Sequence, residues 1–151
     1  MRSTPEQTAP DLQLYFNAIT YDMSGKPQHG KLLNPHPYPA FSLSFDTCRP
    51  ESRGEISIRS PDPLQAPAIR PNYLSAEQDI QTALAGCRLL RRLAAAPALA
   101  SLIESELSPG VQVQDDAALL EDFRARVGTI YHPCGTCRMG PTRSRPWWMP
   151  G

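Results

Sequence analysis

The sequence predicts an α+β domain in which an antiparallel sheet comes first along the chain and helices pack on one of its faces. In the first 60 residues, apolar side chains alternate with polar ones, the pattern of strands with one covered face. Between residues 75 and 128, apolar side chains instead recur every three or four positions, as in amphipathic helices. Strands followed by helices, rather than alternating with them, favour an α+β arrangement of layers.

Three alternating segments predict the strands of this sheet. They cover residues 12–18, 41–45 and 55–59, with the larger apolar side chains at every second position. Residues 49–54 have turn chemistry, so the second and third segments are expected to pair as an antiparallel hairpin. Four later prolines should hold the chain extended and outside any central strand: Pro61, Pro63, Pro67 and Pro71.

Two helices are predicted in the next part of the chain. Ser75 and Gln78 have the spacing of a capping box, and the helix that they start should continue until Pro97. A short second helix is expected from residue 98 to residue 107. The apolar stripe of the first helix consists of Ile80, Leu84, Cys87, Leu90 and Ala94.

A third helix is expected to begin near Asp115 or Asp116. A carboxylate at a helix start accepts backbone N–H groups and complements the helix dipole. Gly128 is placed to end this helix. Residues 129–131 are β-prone and predict a short strand with His132 at its end, where the proline that follows favours an extended backbone.

The composition argues against several classes of protein. Fifteen basic residues balance fifteen acidic ones, so nothing predicts nucleic acid or an acidic membrane as a partner. No apolar run approaches the roughly 20 residues that span a bilayer, and the first residues lack the apolar stretch of a secretory signal. Four cysteines in 151 residues do not suggest a disulfide framework. We therefore expect a cytoplasmic protein with reduced thiols.

The segment richest in reactive side chains is residues 131–140, with the sequence YHPCGTCRMG. One interpretation makes His132 a structural histidine with both ring nitrogens hydrogen-bonded inside the fold. A second makes Cys134 and Cys137 a C-x-x-C redox pair. A helix normally follows such a pair and polarises its first thiol, and the proline-containing residues that follow here do not favour one.

Zinc binding is a third interpretation of the same segment. His132, Cys134 and Cys137 would supply three ligands, with Cys48 or Cys87 as the fourth. Structural zinc sites usually combine two closely spaced ligand pairs, and only one is present. Zinc binding therefore stays an alternative, and no residue is assigned as a metal ligand.

Residues 131–140 as a whole resemble the C-terminal signature of the glucose–methanol–choline (GMC) family of flavin-dependent alcohol oxidoreductases, in particular its choline dehydrogenase-like branch. The likeness extends over residues 40–140, so the chain resembles the substrate-binding C-terminal domain of that family, truncated at both ends. Other family features follow in the usual order: Ser52-Arg53-Gly54 at the entry to a strand, Asp62-Pro63, Pro67, Pro71-Asn72-Tyr73-Leu74 and Asp79.

The resemblance implies a catalytic role for His132. In the family this histidine accepts the hydroxyl proton of an alcohol while a hydride passes to FAD. An unperturbed imidazole titrates near pH 6.5 and can therefore act as a base at neutral pH. The hydride itself needs a cofactor, because no side chain can accept it. The resemblance further implies that Pro133 and Gly135 shape the turn, that Arg138 anchors it, and that the substrate is a small alcohol.

The resemblance also implies a division of the chain into three segments. Residues 1–39 would be a partial strand and an irregular loop, residues 40–140 the substrate domain, and residues 141–151 an aberrant tail. A frameshift between Met139 and Pro146 would explain that tail. Reading its Trp-Trp-Met-Pro codons one base earlier permits Val-Val-Asp-Ala, which resembles the strand that the family places there.

One family feature is missing from these residues. Family members bind the FAD pyrophosphate with a G-x-G-x-x-G turn, and none of the nine glycines here has another glycine two positions away. We therefore expect a missing or separately encoded FAD-binding domain as the partner, and no activity from this chain alone. A non-catalytic interaction fragment is the alternative.

Overall fold

The computed structural model describes residues 1–21 and 35–135. Within these residues the chain has the predicted α+β class, with four strands followed by three helices. The elements are β1 (Leu12–Asn17), β2 (Ser42–Thr47), β3 (Glu55–Ser57), β4 (Ala68–Arg70), α1 (Glu77–Ala94), α2 (Pro97–Ala100) and α3 (Asp116–Arg126).

The first two strands, each predicted from its own alternating sequence, form an antiparallel pair. The register runs from Leu12 opposite Thr47 to Asn17 opposite Ser42. Because side chains alternate along a strand, one face of this pair carries its apolar residues and the other its polar ones. On the polar face, the Tyr15 hydroxyl donates a hydrogen bond to the Asp46 carboxylate at 2.6 Å.

Phe45 on the apolar face of β2 joins the sheet to two helices. Its ring stacks on Phe123 of α3, with 5.6 Å between the ring centroids. The same ring lies against Gly86 of α1, so closely that a Cβ atom added there would be 2.4 Å from Cε2 of Phe45. Glycine at this helical position therefore serves close packing between the helix and the sheet.

The predicted hairpin between residues 41–45 and 55–59 is wrong. β3 pairs instead with β4, placing Ile56 opposite Ile69 in a separate two-stranded ribbon. The physical reason is that the turn between β2 and β3 is bound to the start of α1, as described below, and leads the chain away from β2. The prolines flanking β4 are compatible with this ribbon, because both of its strands are edges.

The start of α1 differs from the predicted capping box. The N-cap residue is Ala76, and no side chain of the predicted box caps the helix. The Ser75 hydroxyl accepts a hydrogen bond from the Asn72 amide, and the Gln78 amide donates to Thr82 within the helix. The capping prediction is therefore wrong, although the helix itself is present from residue 77 to residue 94.

The second helix is shorter than predicted, ending at Ala100 rather than at residue 107. Arg91 of α1 holds the residues that follow in turns. Its guanidinium forms an ion pair with Glu106 at 2.9 Å and donates to the carbonyl oxygens of Gly110 and Val113 at 3.0 and 2.6 Å. These contacts tie residues 106–113, which form turns, to α1.

The third helix begins as predicted and ends differently. Asp115 is the N-cap, and its carboxylate accepts the N–H of Ala118 at 2.9 Å. The C-cap is Val127 with an extended backbone, so Gly128 does not end the helix. The predicted strand over residues 129–131 is also absent from the described part of the chain, where this segment has no regular structure.

The buried apolar core of residues 1–21 and 35–135 is small. Its members are Leu12, Ala68, Ala83, Leu84, Leu89 and Leu119. In the described residues, no helix combines the length and the apolar character that crossing a membrane requires.

We predict that Gly86→Ala lowers the stability of the fold, although alanine is the better helix former. Overpacking against the Phe45 ring should lower the free energy of unfolding by about 1–3 kcal/mol. The better helix propensity of alanine should raise it by only about 1 kcal/mol. Urea unfolding measures the difference, and adding Phe45→Leu should relieve it. Gly128→Ala, at a position with no neighbouring atom within 4 Å, is the matched control. A more stable Gly86→Ala variant would contradict the packing described here.

Candidate functional site

A buried carboxylate in the first turn of α1 organises one end of the molecule. Asp79 is only 4% exposed. It accepts the backbone N–H groups of Glu51 and Ser52 at 2.7 and 2.9 Å. The Ser52 hydroxyl in turn accepts the N–H groups of Ser75 and Ala76, both at 3.0 Å. The start of α1 is therefore capped from a distant segment of the chain. We call this group, residues 51–54, 72, 75–76 and 79, the junction.

Gly54 and Asn72 complete the junction through close backbone contact. A Cβ atom at Gly54 would lie 2.4 Å from the carbonyl oxygen of Arg70, so only glycine fits there without movement of the backbone. Asn72 adopts a left-handed backbone with φ of 54°, which asparagine tolerates better than most residues. Its amide donates to the carbonyl of Arg53 at 2.9 Å. Ser52-Arg53-Gly54, Asn72 and Asp79, which carried part of the resemblance in the sequence, thus have a structural role here.

The junction stabilises the ionised form of Asp79. Burial by itself would raise the pKa of this carboxyl. Hydrogen bonding with the Ser52 side chain and with the N–H groups of Glu51 and Ser52 outweighs burial, and the nearby Arg53 charge adds to it. The pKa of Asp79 therefore lies below its usual value of 3.8.

His132 lies on the surface beyond α3, in a segment without helix or strand. Among the described residues, no hydrogen bond to its ring is present, so this part of the structure gives no support to the interpretation of a buried, doubly bonded histidine. Tyr131 before it has a left-handed backbone with φ of 61°. The N–H of Tyr131 donates to Thr129 Oγ1 at 3.0 Å, and the Tyr73 hydroxyl lies 3.5 Å from the same oxygen.

The cysteines do not assemble into a site in the described part of the chain. Cys134 and Cys48 are exposed, whereas Cys87 is half-buried in α1, where burial raises the pKa of its thiol. Residues 1–21 and 35–135 contain no group of three or more potential metal ligands. Cys137 lies outside the described residues, so the C-x-x-C pair is not tested.

Other predicted features are placed only in part. Arg138 and the tail over residues 141–151 lie outside the described residues, as does most of the predicted loop over residues 22–39. The described base of that loop is held together by Thr20 and His36. The Thr20 Oγ1 atom lies 2.8 Å from Nδ1 of His36, whose ring stacks on Tyr38.

A shallow cleft of about 480 Å³ opens beside the junction and not at His132. Arg53 and Arg70 line it together with Glu55, which forms an exposed ion pair with Arg70 at 2.8 Å. Exposed ion pairs contribute little to stability. The cleft lies on the surface where the chain enters β3 and leaves β4, and His132 is not one of its lining residues.

Sequence reasoning missed two side chains that connect the junction to the histidine segment, Tyr73 and Thr129. Tyr73 stood out only as part of the Pro71–Leu74 segment, and Thr129 only as a β-prone residue. The one local signal was the serine or threonine side-chain turn, in which a hydroxyl bonds the backbone N–H two residues later. The contact with Tyr73, 56 positions away, had no local signal.

Comparisons with known proteins identify relatives over most of the chain. A family model described as GMC oxidoreductase matches residues 50–145. An alcohol dehydrogenase [acceptor] of Pseudomonas putida is 39% identical over 140 residues. Oxygen-dependent choline dehydrogenases of Cronobacter sakazakii and of Escherichia coli K12 are 37% identical over 140 and 143 residues. Each alignment covers 93% of this chain and 24% of the relative, so the chain spans about a quarter of their length.

We predict that Asp79→Asn destabilises the fold by about 1.5–3 kcal/mol near pH 7, the range for hydrogen bonds to a charged group. Glu77→Gln is the matched control, because it removes a first-turn carboxylate whose side-chain partner among the described residues is Gln81. Because the folded-state pKa of Asp79 is depressed, its contribution is present above pH 3.8 and is lost as the pH falls through the lower folded value.

Urea unfolding near pH 7 and near pH 3 checks both statements about Asp79. The gap between the wild-type protein and Asp79→Asn should narrow in acid. A gap that stays constant, or that equals the effect of Glu77→Gln, would show that the charge does not organise the junction.

Proposed function

The chain belongs to the GMC oxidoreductase family, and from that membership we propose that it forms the substrate-binding portion of an FAD-dependent enzyme that oxidises the CH–OH group of a small alcohol. The observation that carries the proposal is the exposed imidazole of His132 inside the family match. The relatives are named as alcohol and choline dehydrogenases, which supports an alcohol as the substrate.

In this proposal His132 is the base that takes the proton of the substrate hydroxyl. Its ring is solvent-exposed and, among the described residues, unbonded, so a ring nitrogen is open to a hydroxyl group at hydrogen-bond distance. Pro133 disfavours a helical backbone at His132 and thereby narrows the directions in which the ring can point. A flavin bound outside the described residues would supply the acceptor for the hydride, which no side chain can provide.

The described residues do not fit the pyrophosphate of FAD. A pyrophosphate usually binds the free N–H groups of a helix start. Here the start of α1 is capped by Ser52 and carries Glu77 and Asp79 in its first turn. The start of α3 carries Asp115 and Asp116, which repel an anion. We therefore propose that the nucleotide binds outside the described residues and that this chain contributes the substrate side.

An apolar surface supports association with the flavin-binding portion. Ile56 and Ile69 are register partners on one face of the ribbon, 55% and 63% exposed. Ile58 and Leu64 lie in the connection between β3 and β4 and are 89% and 92% exposed. A cluster of large apolar side chains open to water marks an interaction surface. We call these four residues the ribbon face and propose that the flavin-binding portion covers it.

We predict that the purified chain alone contains no flavin and self-associates through the ribbon face. Ile58→Arg combined with Ile69→Arg should increase the monomer fraction in gel filtration, because the charges oppose burial of that face. Leu102→Arg is the matched control, since it places the same charge at another exposed apolar residue, 75% exposed beyond α2. A sharp monomer peak with cooperative melting for the unmodified chain would contradict this prediction.

We predict that His132→Gln lowers kcat by about 10²–10⁴-fold, the usual contribution of a general base. The assay uses a chimera in which the aligned segment of this chain replaces the corresponding quarter of the Pseudomonas putida alcohol dehydrogenase. Alcohol oxidation is followed with an artificial electron acceptor. Cys134→Ser is the control and should retain activity within about twofold, because the proposed mechanism does not use its thiol.

Two results would overturn the proposed role of His132. One is a flavin-containing chimera in which His132→Gln oxidises alcohol as fast as the parent. The other is loss of activity in Cys134→Ser with retention in His132→Gln, which would favour thiol chemistry. If the chimera does not retain flavin, co-expression of this chain with the relative lacking the aligned segment provides the second assay.

A further inference from the structure

The hydroxyl of Thr129 is placed to control the backbone immediately before His132. Thr129 Oγ1 accepts the N–H of Tyr131 at 3.0 Å. Tyr131 has φ of 61°, a conformation that a large side chain rarely adopts without support. The hydrogen bond supplies such support, because it ties the Tyr131 N–H back to the residue two positions earlier.

The same oxygen is connected to the junction through Tyr73. The Tyr73 hydroxyl lies 3.5 Å from Thr129 Oγ1, at the outer limit of a hydrogen bond. Tyr73 stands between Asn72 and Leu74, which both have left-handed backbones with φ of 54° and 56°. The Asn72 amide is bonded to the carbonyl of Arg53 in the junction. Tyr73 therefore extends from a segment that is fixed by several hydrogen bonds.

We propose that Thr129 is a positioning residue that, with Tyr73, orients His132 for its reaction. This inference rests on the proposed function of His132 as the base. The backbone of His132 is restrained from one side by the left-handed Tyr131 and from the other by Pro133. Thr129 sets the first restraint and Tyr73 anchors Thr129 to the junction. Small errors in the direction of a catalytic base cost much of its effect.

A purely structural role for Thr129 predicts a different result. Thr129 and Tyr131 are exposed and lie outside helices and strands. Changing a surface hydroxyl usually has little effect on global stability. The positioning role therefore predicts a change in the local backbone and in catalysis while global unfolding stays the same. Thr129→Val removes Oγ1 and keeps the shape, whereas Thr129→Ser keeps Oγ1, so the two variants form a matched pair.

The first test is amide hydrogen exchange of Tyr131, measured by NMR on the full 151-residue chain. We expect exchange to be roughly 3- to 10-fold faster in Thr129→Val than in the wild-type protein, the factor that corresponds to one ordinary hydrogen bond. Thr129→Ser should exchange like the wild-type protein, and Tyr73→Phe should lie between them. Equal exchange in the valine and serine variants would overturn the inference without reference to activity.

The second test is catalysis in the flavin-containing chimera. We expect Thr129→Val to lower kcat by about 3- to 10-fold with a smaller change in KM. Thr129→Ser should stay within about twofold of the parent. Tyr73→Phe should lower kcat in the same direction, and its effect should not add to that of Thr129→Val, because both act through one oxygen.

The two proposals fail in distinguishable ways. If His132→Gln lowers kcat while the valine and serine variants of Thr129 have equal kcat, the positioning role is wrong and the base assignment stands. If His132→Gln has no effect on kcat, the base assignment is wrong, and Thr129 then has no catalytic group to position. Equal loss of kcat and of global stability in Thr129→Val would also count against positioning, since it would indicate general unfolding.

Discussion

The fold depends on one buried carboxylate that caps a turn from the start of a helix. The Asp79 carboxylate accepts hydrogen bonds from the N–H groups of Glu51 and Ser52. The Ser52 hydroxyl in turn accepts the N–H of Ala76 at the start of α1. Leaving the buried carboxylate of Asp79 unpaired would be costly, so these hydrogen bonds fix the turn and the helix relative to one another. Since the turn connects β2 with β3, it also decides that β3 leaves the first strand pair and forms a ribbon with β4.

The junction has a structural role, whereas the histidine segment is the site of the proposed chemistry. Gly54, Asn72 and Asp79 are far apart in sequence and meet in one hydrogen-bonded group, which explains why these residue types occur there. His132 is exposed at the other end of a short path through Tyr73 and Thr129. In the proposed function, this hydrogen-bonded group supports a base that is left open to a substrate.

The small core and the exposed apolar surface of the chain are compatible with a place within a longer protein. In the described part of the chain the core consists of a few aliphatic side chains, and the ribbon face is open to water. A domain with so little buried apolar area gains stability from any partner that binds the folded state. The relatives are about four times longer than this chain, and a portion of that size can bury the ribbon face and hold the flavin in the proposed enzyme.

The sequence by itself determined the α+β class, the β1 and β2 strands, the long helix α1 and the Asp115 cap, because alternation, helical spacing and capping are local signals. It also singled out His132 through the motif around it. Only the tertiary structure decided that β3 pairs with β4, that Ser52 rather than Ser75 caps α1, and that Thr129 contacts Tyr73. These contacts form between residues far apart in the chain. Local periodicity predicts which side of a helix or strand is apolar, but it does not predict which segment packs against that side.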